Sequence, residues 1–379
     1  MSAAQFGVYV HIPFCAARCD YCDFATWTDR GHLVDDYVAA CVRDIEQRAL
    51  APATSVFFGG GTPSLLDAAQ LTAILDTIAR APDAEVTVEC NPDSIDLTKL
   101  RAYADAGVNR VSFGVQSMRA HVLAALGRTH DPDNVARAVD AARAAGIDRV
   151  NLDLIYGTPG ETIADWEATL DAALALEPGH ISAYALTVEP GTPLATAVAD
   201  GARAAPDDDD QATKYEVADE RLGAAGLVWY EVSNWARPGD ECRHNLLYWE
   251  GGDYAAIGCA AHGHEAGRRA WNVRTPERYV DAIARGVSPE AGHEVLDGPG
   301  RCAERLVLGI RTAAGIKLPG PGADSSRVAT CITDLADLGL VTRVDDRVVL
   351  TRRGRLLGNE AATRLLAALD GPSAAVGTR

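Results

Sequence analysis

Cys15, Cys19 and Cys22 stand in the pattern C-x-x-x-C-x-x-C, in the loop that follows the first apolar run of the chain. Thiolates are soft ligands and select zinc, copper(I) or iron–sulfur centres. Structural zinc takes four ligands, and no second C-x-x-C occurs elsewhere in the 379 residues. A three-thiolate set leaves one metal position open, which suits a [4Fe–4S] cluster that binds a substrate at its fourth iron. The bland alternative is three unrelated buried cysteines. The other six, Cys41, Cys90, Cys242, Cys259, Cys302 and Cys331, are not clustered, and most read as small core residues.

Further residues able to do chemistry recur at a regular place. Gly59-Gly60-Gly61-Thr62-Pro63 follows the second apolar run, Glu89 ends the third and Gln116 follows the fourth. Asp153 lies in the fifth, and Tyr184-Ala185 in the sixth. The apolar runs are Phe6–Ile12, Ser55–Phe58, Glu85–Glu89, Arg110–Gly114, Val150–Ile155 and His180–Thr187. Between them lie Ala- and Leu-rich stretches of helical periodicity, such as Asp35–Leu50, Asp67–Arg80, Asp133–Ala145 and Thr162–Leu176. Asp67 is a plausible N-cap, and Gly107 and Gly146 follow helical runs as C′ residues. Repeating strand–helix units imply parallel strands with right-handed crossovers. Six of them fit a partial (β/α)6 TIM-like barrel, whose strand ends all open on one face, where barrel enzymes place their chemistry. A Rossmann fold fits less well, because no G-x-G-x-x-G follows the first strand.

The barrel is expected to run over residues 1–228. The acid run Asp207–Asp210 reads as a solvated helix N-terminus. A segment rich in Gly, aromatics and His, residues 229–290, is expected to lie over the barrel mouth. Residues 291–370 read as helix, Pro/Gly-rich loop, helix, hairpin and helix, an order that resembles a winged helix. The tail 371–379 is expected to be disordered. Net charge is −18, which opposes a sequence-independent grip on nucleic acid. A regulator using the C-terminal unit on DNA would have to rely on Arg343, Arg347, Arg352, Arg353 and Arg355 alone. No stretch approaches the ~20 apolar residues of a membrane span, and Met1–Gly7 shows no signal peptide. Nine cysteines without that export signal point to a reducing cytoplasm. A homodimer is possible, but no heptad repeat decides it.

The stretch Tyr9-Val10-His11-Ile12-Pro13-Phe14-Cys15 through Cys19, Asp20-Tyr21-Cys22-Asp23-Phe24 resembles the cluster loop of the radical S-adenosylmethionine (SAM) superfamily. More narrowly it resembles the branch holding oxygen-independent coproporphyrinogen III dehydrogenases and HemW-type haem chaperones. The resemblance continues through Gly59–Pro63, Glu89-Cys90-Asn91-Pro92, Gly114-Val115-Gln116-Ser117 and Asn151-Leu152-Asp153-Leu154. It implies that Cys15, Cys19 and Cys22 hold a [4Fe–4S] cluster whose open iron SAM chelates. Gly60, Gly61 and Thr62 would let backbone approach the methionyl amine, since glycine has no Cβ to block it. Glu89 and Asp153 would accept from ribose hydroxyls or the amine, and Gln116 would offer its amide. Arg128 would pair with the SAM carboxylate as a planar fork; its bland alternative is a surface arginine. Tyr9, Tyr21 and Ala185 would line the adenine and the cluster mouth. His11 resembles a cluster-proximal position, with a satisfied strand histidine as the alternative.

His244-Asn245-Leu246-Leu247-Tyr248-Trp249 matches the H-N-x-x-Y-W pattern of the haem chaperones. The match implies haem as cargo, with His244 as an axial ligand and Tyr248 and Trp249 against the macrocycle. Cys259, His262 and His264 are the next haem-ligand candidates. The bland alternative has His244 and Asn245 hydrogen-bonding a loop and Trp249 in the core. In the dehydrogenase branch a fourth cysteine follows and a long N-terminal arm precedes; here Phe24 takes the cysteine position and 14 residues precede Cys15. Both features favour a chaperone that delivers haem to haemoproteins over coproporphyrinogen III oxidation in porphyrin biosynthesis. No catalytic residue is assigned.

Overall fold

The computed structural model describes residues 5–128, 130–317 and 323–370. The expected tail 371–379 and the Pro/Gly-rich loop at 318–322 lie outside the described residues. Six strands pair in chain order and in parallel: β1 (Phe6–Ile12), β2 (Ala53–Gly60), β3 (Arg80–Cys90), β4 (Arg110–Gln116), β5 (Arg149–Tyr156) and β6 (His180–Ala185). The helices between them are α1 (Val34–Gln47), α2 (Ala68–Asp76), α3 (Leu97–Asp105), α4 (Ala120–Ala125), α5 (Pro132–Ala144) and α6 (Ile163–Leu174). β1 and β6 do not pair with each other, so the barrel is open and partial. Val8, Val10 and Ile12 of β1 and Leu152 and Leu154 of β5 face the helices in the main core. The alternate positions turn inward.

Local signals set the boundaries. The Asp67 N–H donates to Gln70 Oε1 (2.8 Å) across the first turn of α2, a capping arrangement. Gly107 and Gly146 end α3 and α5 at φ +100° and +86°, where a Cβ would be strained. Two expectations are corrected in extent. The third strand begins at Arg80, inside what helical periodicity assigned to its predecessor, and the sixth ends at Ala185 instead of Thr187.

Beyond β6 come α7 (Pro193–Ala199), α8 (Asp208–Ala224), β7 (Val228–Glu231), β8 (Asn234–Ala236) and α9 (Arg243–Trp249). They are followed by β9 (Asp253–Ile257), β10 (His262–Glu265), β11 (Arg268–Asn272), α10 (Pro276–Ala284) and β12 (Glu290–Val295). The segment 229–290 does not cover the mouth as the sequence suggested. β8 and β7 extend the sheet beyond β6, and β9 to β12 extend it beyond β1, giving twelve strands. β9 runs parallel to β1, with Gly7 opposite Tyr254 and Val10 opposite Ile257.

The last elements are α11 (Gly298–Gly309), β13 (Ile316–Lys317), α12 (Ala323–Asp337), β14 (Val341–Val344), β15 (Arg347–Leu350), α13 (Arg352–Leu356) and α14 (Gly358–Asp370). They surround a second, separate core that includes Ile310, Ile332, Leu335, Val348 and Leu365. Three of the five arginines considered for DNA are spent internally. Arg352 and Arg355 pair with Asp219 at 3.2 and 2.9 Å, and Arg347 donates to the Gly315 carbonyl at 2.8 Å.

The acid run is only partly a solvated face. Asp207 caps α8 by accepting from the Asp210 N–H (2.8 Å), but the Asp210 carboxylate reaches Lys214 Nζ at 2.6 Å. That ammonium is fully buried, 3.3 Å from the equally buried Glu161 carboxylate, whose Oε2 accepts the Gly157 N–H just past β5. The pair thereby ties α8 to the end of β5. Lys214→Ala leaves the Glu161 carboxyl buried and unpaired, and should cost about 3–5 kcal/mol. Equilibrium urea unfolding of both proteins reads that difference directly.

Candidate functional site

The loop between β1 and α1 is pinned at its neck. Trp27 N–H donates to the Pro13 carbonyl (2.8 Å) and Cys15 N–H to the Trp27 carbonyl (3.0 Å). Farther out, Leu194 N–H donates to the Asp20 carbonyl (2.9 Å), and Arg203 pairs with the Asp20 carboxylate (3.0 Å). The loop therefore stands over the ends of the strands, braced from α7 and beyond.

Gly60 and Gly61 permit this placement by the absence of a side chain. Gly61 N–H donates to the Ile12 carbonyl and Thr62 N–H to the Phe14 carbonyl, both at 2.8 Å. A Cβ on Gly61 would lie 2.7 Å from Phe14 O and 3.1 Å from Cys15 Sγ. One on Gly60, at φ +107°, would lie 2.3 Å from the His11 ring. The Gly60 requirement is thus toward His11 behind the strand, a different cause from the ligand approach expected.

A cavity of about 540 Å³ opens over the strand ends. It is lined by Cys15, Cys19, Tyr21 and Cys22, by Gly60, Gly61 and Thr62, and by Glu89, Gln116, Arg128, Asp153 and Ala185. The structure thus brings every expected cysteine and SAM residue but one to a single wall-to-wall site. The exception is Tyr9, which lines a deeper chamber of about 130 Å³ inside the barrel. Its hydroxyl donates to His11 Nδ1 (3.0 Å), and His11 Nε2–H donates to the Ala25 carbonyl (3.0 Å). His11 is therefore a satisfied, buried histidine. Ser112 and Tyr184 line both spaces; Tyr184 was placed at the sixth strand end from sequence, whereas Ser112 was not singled out. For Ser112 the signal was available, since it precedes Gly114 by two and so shares its strand face.

Arg128 is the cation of the site. It donates to the Gly114 carbonyl (2.7 Å) and to Cys19 Sγ (3.5 Å), and its buried Nε has no partner. A Cβ on Gly114 would come within 3.3 Å of this guanidinium. Beside it Gln116 adopts φ +62°, a left-handed conformation that costs a non-glycine residue energy and tends to occur at functional sites. Burial raises the Cys15 and Cys22 thiols, so ligation of a metal there must displace protons. Among the described residues, no three His, Cys, Asp or Glu side chains are gathered to hold one metal ion. A single zinc needs such convergence. Three cysteines that each hold a different iron of a cluster do not. The donor set fits a cluster better than a lone ion.

Opposite the cysteines stand two half-buried carboxyls. Asp153 accepts from Ser112 Oγ (2.7 Å) and Asn151 Nδ2 (2.8 Å), while burial raises its pKa. Glu89 Oε2 accepts the Gly60 N–H (3.1 Å). Burial, with Asp153 adding to it, pushes Glu89 up to about 8 from 4.5.

The haem-ligand expectation for His244 is corrected by its surroundings. The residue is 1 % exposed on α9, beneath the N-terminal ends of the strands. Its Nδ1 is hydrogen-bonded to Ser55 Oγ and its Nε2 to Tyr248 OH, both at 2.8 Å. Its ring stacks on Phe57, and burial lowers its pKa to about 3. Neither ring nitrogen is open to a metal. His244 N–H also donates to the buried Glu85 carboxylate (3.1 Å), and Asn245 Nδ2 donates to Glu231 (2.9 Å). Both belong to a plug at the floor of the barrel. Gly7, beside His244, lies five residues before Ile12, so about 16 Å of strand separates that floor from the cysteine loop. Of the other cysteines, Cys41, Cys90, Cys242 and Cys259 are buried, whereas Cys302 is exposed and Cys331 half-buried.

The Glu89 shift has a testable sign. Its folded pKa lies above the unfolded value, so the folded state holds a proton that the unfolded chain releases between about pH 4.5 and 8. Stability from this group is full below the unfolded pKa and declines as pH rises through that window. Glu89→Gln keeps the acceptor for Gly60 and removes the titration. Urea midpoints of the metal-free proteins should therefore show the variant gaining on wild type from pH 5 to pH 8.

A family model for the radical SAM superfamily matches residues 9–173. The chain is 46% identical over 377 residues to the heme chaperone HemW of Mycobacterium tuberculosis (strain H37Rv), covering 97% of this chain and 96% of that protein. It is 35% identical to the heme chaperone HemW of Bacillus subtilis (strain 168), covering 93% and 97% respectively. Its fold matches that of coproporphyrinogen III oxidase (HemN) from Escherichia coli with TM-score 0.83 and 22% identity, over 96% of this chain and 90% of that one. The chain belongs to the radical SAM superfamily and, within it, to the HemW family.

Proposed function

We propose that this protein binds a [4Fe–4S] cluster and SAM at the barrel mouth, takes up haem as cargo and delivers it to haemoproteins. The observation that carries the reading is the full-length likeness to proteins named heme chaperone, joined to three thiols on one wall of a cavity that also holds Arg128, Glu89 and Asp153. When bound, the cluster supplies an open iron for the amino and carboxylate groups of SAM and a source of one electron. Cys15, Cys19 and Cys22 hold the irons. Arg128, its Nε free and already beside Cys19, offsets thiolate charge and pairs with the SAM carboxylate. Glu89 and Asp153 accept hydrogen bonds from the amine and ribose hydroxyls, and Gln116 offers its amide. Thr62, Tyr21 and Ala185 bound the space. Tyr9 acts one layer below, holding the His11 tautomer that supports Ala25 and the loop.

Delivery of haem in a reducing cytoplasm accords with nine unpaired cysteines; among the described residues no helix is long and apolar enough to cross a membrane. Coproporphyrinogen III oxidation is the weaker reading, because the likeness to that enzyme is one of fold.

Replacing Cys15, Cys19 and Cys22 together by Ala should abolish iron uptake after anaerobic reconstitution; full iron content in that variant would assign the ligands elsewhere. With the cluster intact, Glu89→Ala and Asp153→Ala should each weaken SAM binding by ~1–3 kcal/mol, measured by equilibrium dialysis. Reconstituted wild type given SAM and coproporphyrinogen III should form no protoporphyrinogen IX and should bind hemin. Turnover to that product would replace the chaperone reading by the oxidase one.

A further inference from the structure

We propose that haem is held at the rim of the barrel by His262, stacked on Trp271, beside the cysteine loop. The proposal rests on the haem-chaperone reading and names the site within it.

The histidines of the chain divide by what their ring nitrogens do. Those of His11, His180 and His244 are engaged at both nitrogens inside the barrel. His264 Nδ1 is hydrogen-bonded to the Gly252 carbonyl (2.9 Å), and His121 and His293 face carboxylates. His130 has no hydrogen-bond partner at either nitrogen, but it is buried, 5 % exposed, where a macrocycle cannot reach it. His262 is exposed, and among the described residues neither of its nitrogens has a hydrogen-bond partner. An axial imidazole must offer a free lone pair on a ring that a flat macrocycle can reach. His262 meets both conditions. Its ring lies against Trp271 at 5.9 Å between centroids and 26° between planes, which fixes the imidazole while leaving its edge outward.

The chain is built to deliver this residue to the rim. β9 ends beside β1, and Gly258 packs so closely that a Cβ would lie 2.7 Å from the His11 carbonyl and 2.4 Å from Tyr37 OH. Tyr37 OH donates to the His11 carbonyl (2.8 Å) and accepts the Cys259 N–H (2.9 Å), coupling the turn to the root of the cysteine loop. Asn272 Nδ2 donates to the Gly258 carbonyl (2.8 Å) from the other side. Ala260, two residues before His262, is held at φ +55°, a conformation that costs alanine energy and persists only where the surroundings enforce it. The Ala25 carbonyl accepts from His11 Nε2, and its neighbour Phe24 is 60 % exposed, an apolar flank on the same rim. Arg274, three residues beyond Trp271, is exposed and has no partner among the described residues, leaving a cation for a propionate.

Exposure also suits cargo. Haem bound at His262 can be reached by a recipient without opening the fold, whereas His244 would have to give up two hydrogen bonds and its Phe57 stack. The remaining exposed histidine without a partner, His32, has no ring stacked on it among the described residues, and serves as a control.

The test uses the full-length, cluster-loaded protein titrated anaerobically with hemin, read by Soret absorbance, electron paramagnetic resonance and haem stoichiometry. His262→Ala should lose the histidine-ligated spectrum and bind hemin at least tenfold more weakly, with the spectrum restored by added imidazole and the iron–sulfur absorbance unchanged. Trp271→Ala should weaken binding less and keep the ligation signature. His32→Ala should behave as wild type. A wild type that binds hemin together with a His262→Ala that binds it equally, with the same spectrum, overturns the site and leaves the haem reading standing. Loss of ligation in a folded His244→Gln with His262 intact also overturns it. A wild type that takes up no hemin overturns both.

Discussion

Where β1 hands over to the cysteine loop, the backbones of Gly60 and Gly61 lie against His11, Ile12 and Phe14 with no room for a β-carbon. This contact sets the height of the loop above the sheet. The parallel register that brings Ile12 opposite Gly60 then places Cys15 close to Thr62, whose hydroxyl faces Cys15 Sγ at 3.7 Å. Moving the strand outward by a methyl group would lift the loop, and with it the thiols, away from Arg128 and the two carboxyls across the cavity. Because interiors are close-packed, such a shift is not absorbed locally.

The barrel interior carries a second constraint. Inward positions hold Glu89, Ser112, Asn151, Asp153, His180 and Ser182 in place of the branched apolar side chains that usually fill a closed barrel. Buried polar groups are tolerable only when paired, and here they pair with one another. Asn151 alone donates to Ser112, Ser182 and Asp153, while His180 Nδ1–H donates to its carbonyl oxygen. The network holds the Asp153 carboxyl still under the mouth, while Glu89 is held separately by the Gly60 N–H. Its floor is closed by α9, whose His244 N–H meets Glu85, itself paired with Arg149 at 3.0 Å. A carboxylate at a helix N-terminus is favoured by the helix dipole, so the plug is anchored electrostatically as well as by packing.

The same H-N-x-x-Y-W segment reads as a site in sequence and as a plug in structure, for a reason sequence cannot carry. An isolated histidine, asparagine and tyrosine are as fit for a ligand as for a hydrogen-bond network. The decision lies with Ser55, Phe57, Glu85 and Glu231, which come from three distant strands. For the exposed face the reverse holds: His262 has few neighbours, and it stands out only once its competitors are seen to be engaged, buried as His130 is, or unstacked as His32 is.

The sequence by itself determined the alternation of strands and helices, the six parallel units, and the coincidence of the cysteines, Gly60, Gly61, Glu89, Gln116 and Asp153 with strand ends. These follow from near-neighbour physics: apolar period, caps, glycines, and the fact that parallel strands present their C-terminal ends together. Tertiary structure alone decided that Tyr9 sits one layer below the mouth, that β9 joins β1 from 247 residues away along the chain (Gly7 opposite Tyr254), and that Asp210 neutralises a buried lysine. It also decided which histidines are spent. Each of those outcomes depends on partners brought together by folding, and burial and hydrogen bonding are properties of the assembled neighbours, not of the residue.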